Sequence, residues 1–123
     1  MDYTKGGRSL SGKILDFHDQ RFSRVTKCVL NDEVHLDKPA QKLVYAILCM
    51  YADNTSMKSY PSVQTIAKKS CCSENTVRAA LKRLEELELI KVTHRKRGIE
   101  NLSNEYVLLV PPDKFKEDTS QIA

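Results

Sequence analysis

Residues 60–87 read YPSVQTIAKKSCCSENTVRAALKRLEEL. Ser62, after Pro61, opens one apolar-periodic stretch and Ser73 opens a second; at both points a serine hydroxyl can accept from the free amides of a first helical turn. Val63, Ile66 and Ala67 turn inward on the first, and Val77, Ala80, Leu81, Leu84 and Leu87 form the inward stripe of the second. The pattern predicts a helix of barely two turns, with Lys68 and Lys69 at its C-terminal end, where positive charge suits the helix dipole. A tight polar turn follows, then a longer helix whose outward face carries Asn75, Arg78, Ala79, Lys82 and Glu86.

Upstream, a helix is expected to begin at Asp37, whose carboxylate can cap it, with Pro39 in the first turn, where a missing donor costs little. Leu43, Ile47, Met50 and Tyr51, flanked by Ala40, Val44 and Leu48, give it a broad apolar stripe, and Asp53 and Asn54 end it. A face that wide belongs at the centre of a helical core. Before it, Phe22, Val25, Cys28, Val29 and Leu30 predict an extended lead-in and one helical turn, stopped by Asn31 and Asp32, that covers the core. Residues 1–21 mix Gly6, Gly7, serines and charges of both signs, which predicts a flexible arm.

Downstream, Ile90 and Val92 alternate with Lys91 and Thr93, and Tyr106, Leu108 and Val110 alternate with Val107 and Leu109, as the strands of a hairpin do. Between them His94 to Asn104, HRKRGIENLSN, is a polar loop of 11 residues, long for a hairpin, and long loops on rigid scaffolds tend to carry function. Pro111 and Pro112 stop the second strand. The expected organisation is a flexible arm over 1–21, one domain over 22–110, and a loose tail over 111–123. Its fold class is mainly α with a small β-hairpin, an α+β arrangement.

The 123 residues suffice for one core but not two. No apolar run approaches the roughly 18 residues of a membrane span, and the first residues lack the apolar block of a secretory signal, so a cytoplasmic, soluble protein is expected. Cys28, Cys49, Cys71 and Cys72 contain no C-x-x-C pair and no accompanying histidine pair, so reduced thiols are expected rather than a metal site. His18, His35 and His94 are scattered, no glycine-rich phosphate loop occurs, and no nucleophile has a neighbouring base; catalysis is not expected, and no cofactor is implied. The net charge of +4 is unevenly placed. Between Ser62 and Gly98 nine Lys or Arg face four acids, a net of +5, which leaves −1 for the rest of the chain. A basic patch of this kind most often meets phosphate backbones, the alternative being a solvated face.

Two helices joined by a tight turn, the second bearing spaced basic residues, form a helix-turn-helix, whose second helix enters the major groove of double-stranded DNA. On that helix Asn75 suits an adenine edge and Arg78 a guanine edge, and Lys82 can reach a base or a phosphate. Ser73 and Thr76 stand where hydroxyls and helix-end amides hold a backbone phosphate. Each has a plainer reading: Asn75 as a cap, Arg78 and Lys82 as solvated residues, and Arg83, on the flank, as a partner of Glu86. In the hairpin loop Arg95, Lys96 and Arg97 are placed to lie along the backbone or in the minor groove, while His94 reads as an ordinary exposed histidine.

Leu36-Asp37 through Leu48, Tyr60-Pro61-Ser62 with Ile66-Ala67, Cys72-Ser73 through Leu89, and Ser103-Asn104-Glu105-Tyr106-Val107-Leu108 resemble the winged helix-turn-helix domains of plasmid and phage replication initiators and small regulators of mobile elements. The resemblance covers about Phe22 to Val110 and implies a sequence-specific DNA-binding regulator of a mobile-element operon. A replication or DNA-transfer accessory protein at an origin is the nearby alternative, and a winged-helix protein-interaction module the more distant one. Such initiators generally carry a further domain, and the 13 residues after Val110 favour a stand-alone regulator. Monomer and homodimer are both compatible with the sequence. Such domains usually have glycine in the turn before the recognition helix and just after it, where this chain has Cys71 and Glu88. Either strained corners or an altered helix angle is therefore expected.

Overall fold

The two serine caps form as their positions predict. Ser62 Oγ accepts from the Thr65 N–H at 3.1 Å and starts α3 (Val63–Ser70); Ser73 Oγ accepts from the Thr76 N–H at 3.1 Å and starts α4 (Glu74–Glu86). The computed structural model describes residues 12–18, 20–97, 100–101 and 103–115. The expected arm and tail therefore lie largely outside the described residues.

Ahead of these helices come α1 (Lys27–Asn31) and α2 (Pro39–Tyr51). Helix α1 is the single turn expected there, and its Val29 is fully buried. Helix α2 corrects the expected cap at Asp37. The cap is Lys38, whose backbone is extended (φ −126°, ψ 138°), because a residue before proline is driven from the helical region. The Lys38 N–H donates to Gln41 Oε1 at 3.3 Å, so a glutamine three residues on satisfies the helix start from inside.

Helix α2 packs on α3 and α4, and α3 on α4, around one core. Val44, Tyr45 and Leu48 of α2 meet Ile66 of α3 and Val77, Ala80 and Leu84 of α4 there, all buried. The apolar stripe expected for α4 is buried in full, Leu87 included, whereas Leu43, Met50 and Tyr51 of α2 remain exposed.

The sheet has one strand more than the sequence predicts. Strands β2 (Ile90–Thr93) and β5 (Glu105–Leu108) pair antiparallel with Ile90 opposite Leu108 and Thr93 opposite Glu105. The two-residue β1 (Lys58–Ser59) joins the other edge of β5, giving the order β1-β5-β2. It is too short to show alternation. Val110 does not continue β5: it is 90% exposed, since the register carries it opposite Glu88, where the chain has already turned. Within the expected 11-residue loop, β3 (Lys96–Arg97) and β4 (Glu100–Asn101) form a ladder of their own. From Thr93 to Lys96 the outgoing side advances three residues while the return side, Asn101 to Glu105, advances four, an offset of the kind that bends a hairpin.

Both corners that lack glycine keep a left-handed backbone, with φ 58° at Cys71 and 60° at Glu88. After Cys71 the Cys72 N–H reaches Ala67 O at 3.1 Å; around Glu88, Leu89 N–H bonds Leu84 O and Glu88 N–H bonds Glu85 O, each at 3.0 Å. These are Schellman closures, and fully buried Leu84 and Leu89 supply the apolar contact that accompanies them. Strain of roughly 1 kcal/mol per corner is tolerated, and the turn geometry is retained.

Phe115 departs from the loose tail expected after Pro112. It ends a short 3-10 turn (Asp113–Phe115), is 3% exposed, and its ring lies 5.0 Å from that of His35.

Candidate nucleic-acid interface

Burial of one face of α4 dictates exposure of the other. Asn75, Arg78, Ala79, Lys82 and Glu86 are all exposed, on the side of the helix away from the core. Asn75 takes no part in the cap, which belongs to Ser73; among the described residues neither Asn75 nor Lys82 has a hydrogen-bond or ionic partner. Arg78 is paired: its Nη2 donates to Glu74 Oε1, one turn earlier, at 3.2 Å.

At the start of α4 the two hydroxyls act in series. Ser73 Oγ donates to Thr76 Oγ1 at 2.9 Å, which engages the serine proton and leaves the threonine proton free to point outward. A phosphate oxygen at this helix end would meet the Thr76 hydroxyl and the first-turn amides, with Ser73 as the residue that aims the threonine.

Arg83, half-exposed on the flank of α4, is engaged within the protein. Its Nε and Nη2 both donate to the carbonyl of His35, at 3.2 and 3.1 Å, and Nη1 lies 3.7 Å from Glu86, the expected partner. The segment it grips is itself held by Asp32, whose carboxylate accepts from the His35 and Leu36 N–H groups at 2.8 Å each and from His35 Nδ1 at 2.9 Å. Burial raises the Asp32 pKa, but the His35 ring, the two amides and the charge on His35 together bring it below the usual carboxyl value.

The wing has an internal scaffold that the sequence does not disclose. Arg95 lies with its guanidinium 4.5 Å from the centroid of the Tyr60 ring and donates from Nε to Ser103 O at 2.7 Å. The Tyr60 hydroxyl donates to Glu105 Oε1 at 3.1 Å, and Lys58 Nζ lies 3.5 Å from the same oxygen. His94 Nδ1 bridges to Asn104 Oδ1 at 3.0 Å and braces the two sides of the wing. Lys96 is exposed on β3; the side chain of Arg97 lies outside the described residues. An exposed tyrosine before Pro61 was the one available signal for this cluster; Glu105, 45 residues away from it, offered none.

A buried three-helix core, a capped helix with its polar face outward and a braced three-stranded sheet are the parts of a winged helix-turn-helix. Residues 38–90 match the family of helix-turn-helix domains. The match runs from the cap of α2 to the first residue of β2, so it contains the helix-turn-helix and stops before the wing. It supports DNA binding as the role of this segment. Comparison with curated proteins and with solved structures gives no match. Among the described residues no helix is long and apolar enough to cross a membrane.

Of the cysteines, Cys49 packs against the helix-turn-helix core, where burial pushes its thiol up to about 11 and keeps it protonated. Cys71 is exposed at the turn.

Proposed function

We propose that the protein is a sequence-specific double-stranded DNA-binding regulator, a binding protein rather than an enzyme, that inserts α4 in the major groove and lays the wing on the backbone or minor groove. The observation that carries this reading is the outward face of α4: exposed Asn75 and Lys82, without partners among the described residues, beside Arg78. A helix stabilising itself would engage such groups locally; here they stand ready for groove edges. The resemblance to small regulators of mobile elements supports an operon of such an element as the target, with repression by occupying a site that polymerase needs.

Binding to a random duplex, followed by fluorescence anisotropy across a salt series, tests the reading. A steep decline of log K with log salt is expected, about 0.9 per phosphate neutralised. No binding, or a flat response, would overturn it. A reporter driven by sites selected from the source genome then tests repression: unchanged output on expression of the protein would exclude it.

A further inference from the structure

Glu74 has no place in a surface built only to attract phosphate. It is the first residue of α4, the end of a reading helix that approaches base edges most closely, and its carboxylate is about half exposed there. Near a backbone of phosphates a carboxylate is repelled unless a donor faces it. In the major groove the donors are the amino groups of cytosine and adenine.

The pairing with Arg78 narrows this to one edge. Arg78 Nη2 and Glu74 Oε1 stand 3.2 Å apart, a donor beside an acceptor. A G·C pair presents the complementary couple, guanine O6 as acceptor and cytosine N4 as donor, joined by their own hydrogen bond at about 2.9 Å. Nη2 carries two protons, so one can stay on Glu74 while the other meets O6 and a neighbouring guanidinium nitrogen meets N7. An A·T pair offers thymine O4 and adenine N6 at similar spacing but has a methyl group where N7 would be, so the arginine loses its second bond. A C·G pair in the reverse orientation sets the carboxylate against O6 and N7, two acceptors, and repels it.

We propose that Glu74 and Arg78 act as one unit that reads a single G·C pair in one orientation, Arg78 on guanine and Glu74 on the cytosine amino group. The proposal rests on the DNA-reading function above and names a base-reading residue that composition alone would assign to helix stabilisation. As a plain helix pair, glutamate four residues before arginine is also favourable, and the test must separate the two roles.

Selection of bound sites from a randomised duplex pool, run in parallel with the native protein and Glu74→Gln, does so. A glutamine amide both donates and accepts, so it tolerates either orientation of the pair. The native protein is expected to enrich a motif containing one strongly oriented G·C pair. Glu74→Gln is expected to lose about ten-fold of the preference against C·G at that pair, while the preference against A·T, which Arg78 sets, and every other position stay unchanged. Thermal unfolding of the two proteins is expected to be alike. The same motif with the same strength at every position for both proteins would overturn the inference and leave Glu74 a helix staple. A native protein that enriches no motif would instead overturn sequence-specific reading itself.

Discussion

Replacing Arg83 separates two readings of a basic residue on the recognition helix. Arg83→Met keeps the aliphatic stem and removes the guanidinium, which makes two bonds to the His35 carbonyl at 3.2 and 3.1 Å. Bonds to a charged donor contribute about 1.5–3 kcal/mol, and the 39% exposure of this side chain places the loss nearer the lower end, about 1.5 kcal/mol. For a domain of this size that lowers Tm by about 5–10 °C. The loss reaches beyond one pair, because the His35 carbonyl belongs to the segment that Asp32 holds and Phe115 covers. Differential scanning fluorimetry measures the Tm, and anisotropy across a salt series measures the binding slope. Lys82→Ala is the mirror image, expected to leave Tm within about 2 °C while lowering the slope by about 0.9. An Arg83→Met protein with unchanged Tm and a slope reduced by about 0.9 would refute the tethering role and assign Arg83 to the DNA surface.

Cys71→Gly and Glu88→Gly relieve left-handed backbone at exposed corners and are each expected to raise stability by about 0.5–1 kcal/mol in urea unfolding; a loss at either would show that its side chain makes a contact of greater value than the strain. Asp32 is held below its ordinary pKa of 3.8, so its contribution is fully present above that value and lost as pH falls through the lower folded value. The Tm gap between the native protein and Asp32→Asn is therefore expected to narrow below about pH 4, and a gap constant from pH 6 to pH 2 would contradict it. Ser59 Oγ is buried and, among the described residues, has no hydrogen-bond partner; Ser59→Ala is expected to leave stability unchanged or raise it by about 1 kcal/mol, and a loss exceeding that in urea unfolding would reveal a partner.

The parts of the fold legible in the sequence are those with local causes. Ser62 and Ser73 cap helices through bonds three residues away, and the stripe from Val77 to Leu87 follows from helical periodicity alone. Even the shifted start of α2 has a local cause, the proline after Lys38. What escaped depends on partners distant in sequence. Arg83 bonds a backbone carbonyl 48 residues away, an acceptor every residue possesses, so nothing in the chain marks His35. Strand β1 exists only because β5 offers an edge, and Phe115 is core only because His35 comes beneath it. On the candidate interface, exposure of Asn75, Arg78 and Lys82 was readable from the helix face, while the link from Arg78 to Glu74 needed side-chain positions.

These contacts also divide labour within the basic patch. Arg78, Arg83 and Arg95 are each engaged by acceptors of the protein itself, whereas Lys68, Lys69, Lys82, Lys91 and Lys96 are exposed and have no ionic partner among the described residues. Planar guanidinium groups fix geometry and ammonium groups act as point charges, so on the proposed DNA-binding function the arginines would aim the surface and the lysines would supply charge for phosphates. Arg95→Lys tests the division because it leaves net charge untouched. Stacking on Tyr60 contributes about 0.5–1 kcal/mol and the bond from the charged guanidinium to Ser103 O about 1.5 kcal/mol, so losing both loosens the wing by about 2–2.5 kcal/mol. If a braced wing is needed for binding, affinity at fixed salt falls about ten-fold or more while the salt slope stays the same, since no charge has been removed. Equal affinities for the two proteins would mean that Arg95 acts as a charge alone and that the Tyr60–Arg95–Ser103 contacts do not organise the DNA-binding surface.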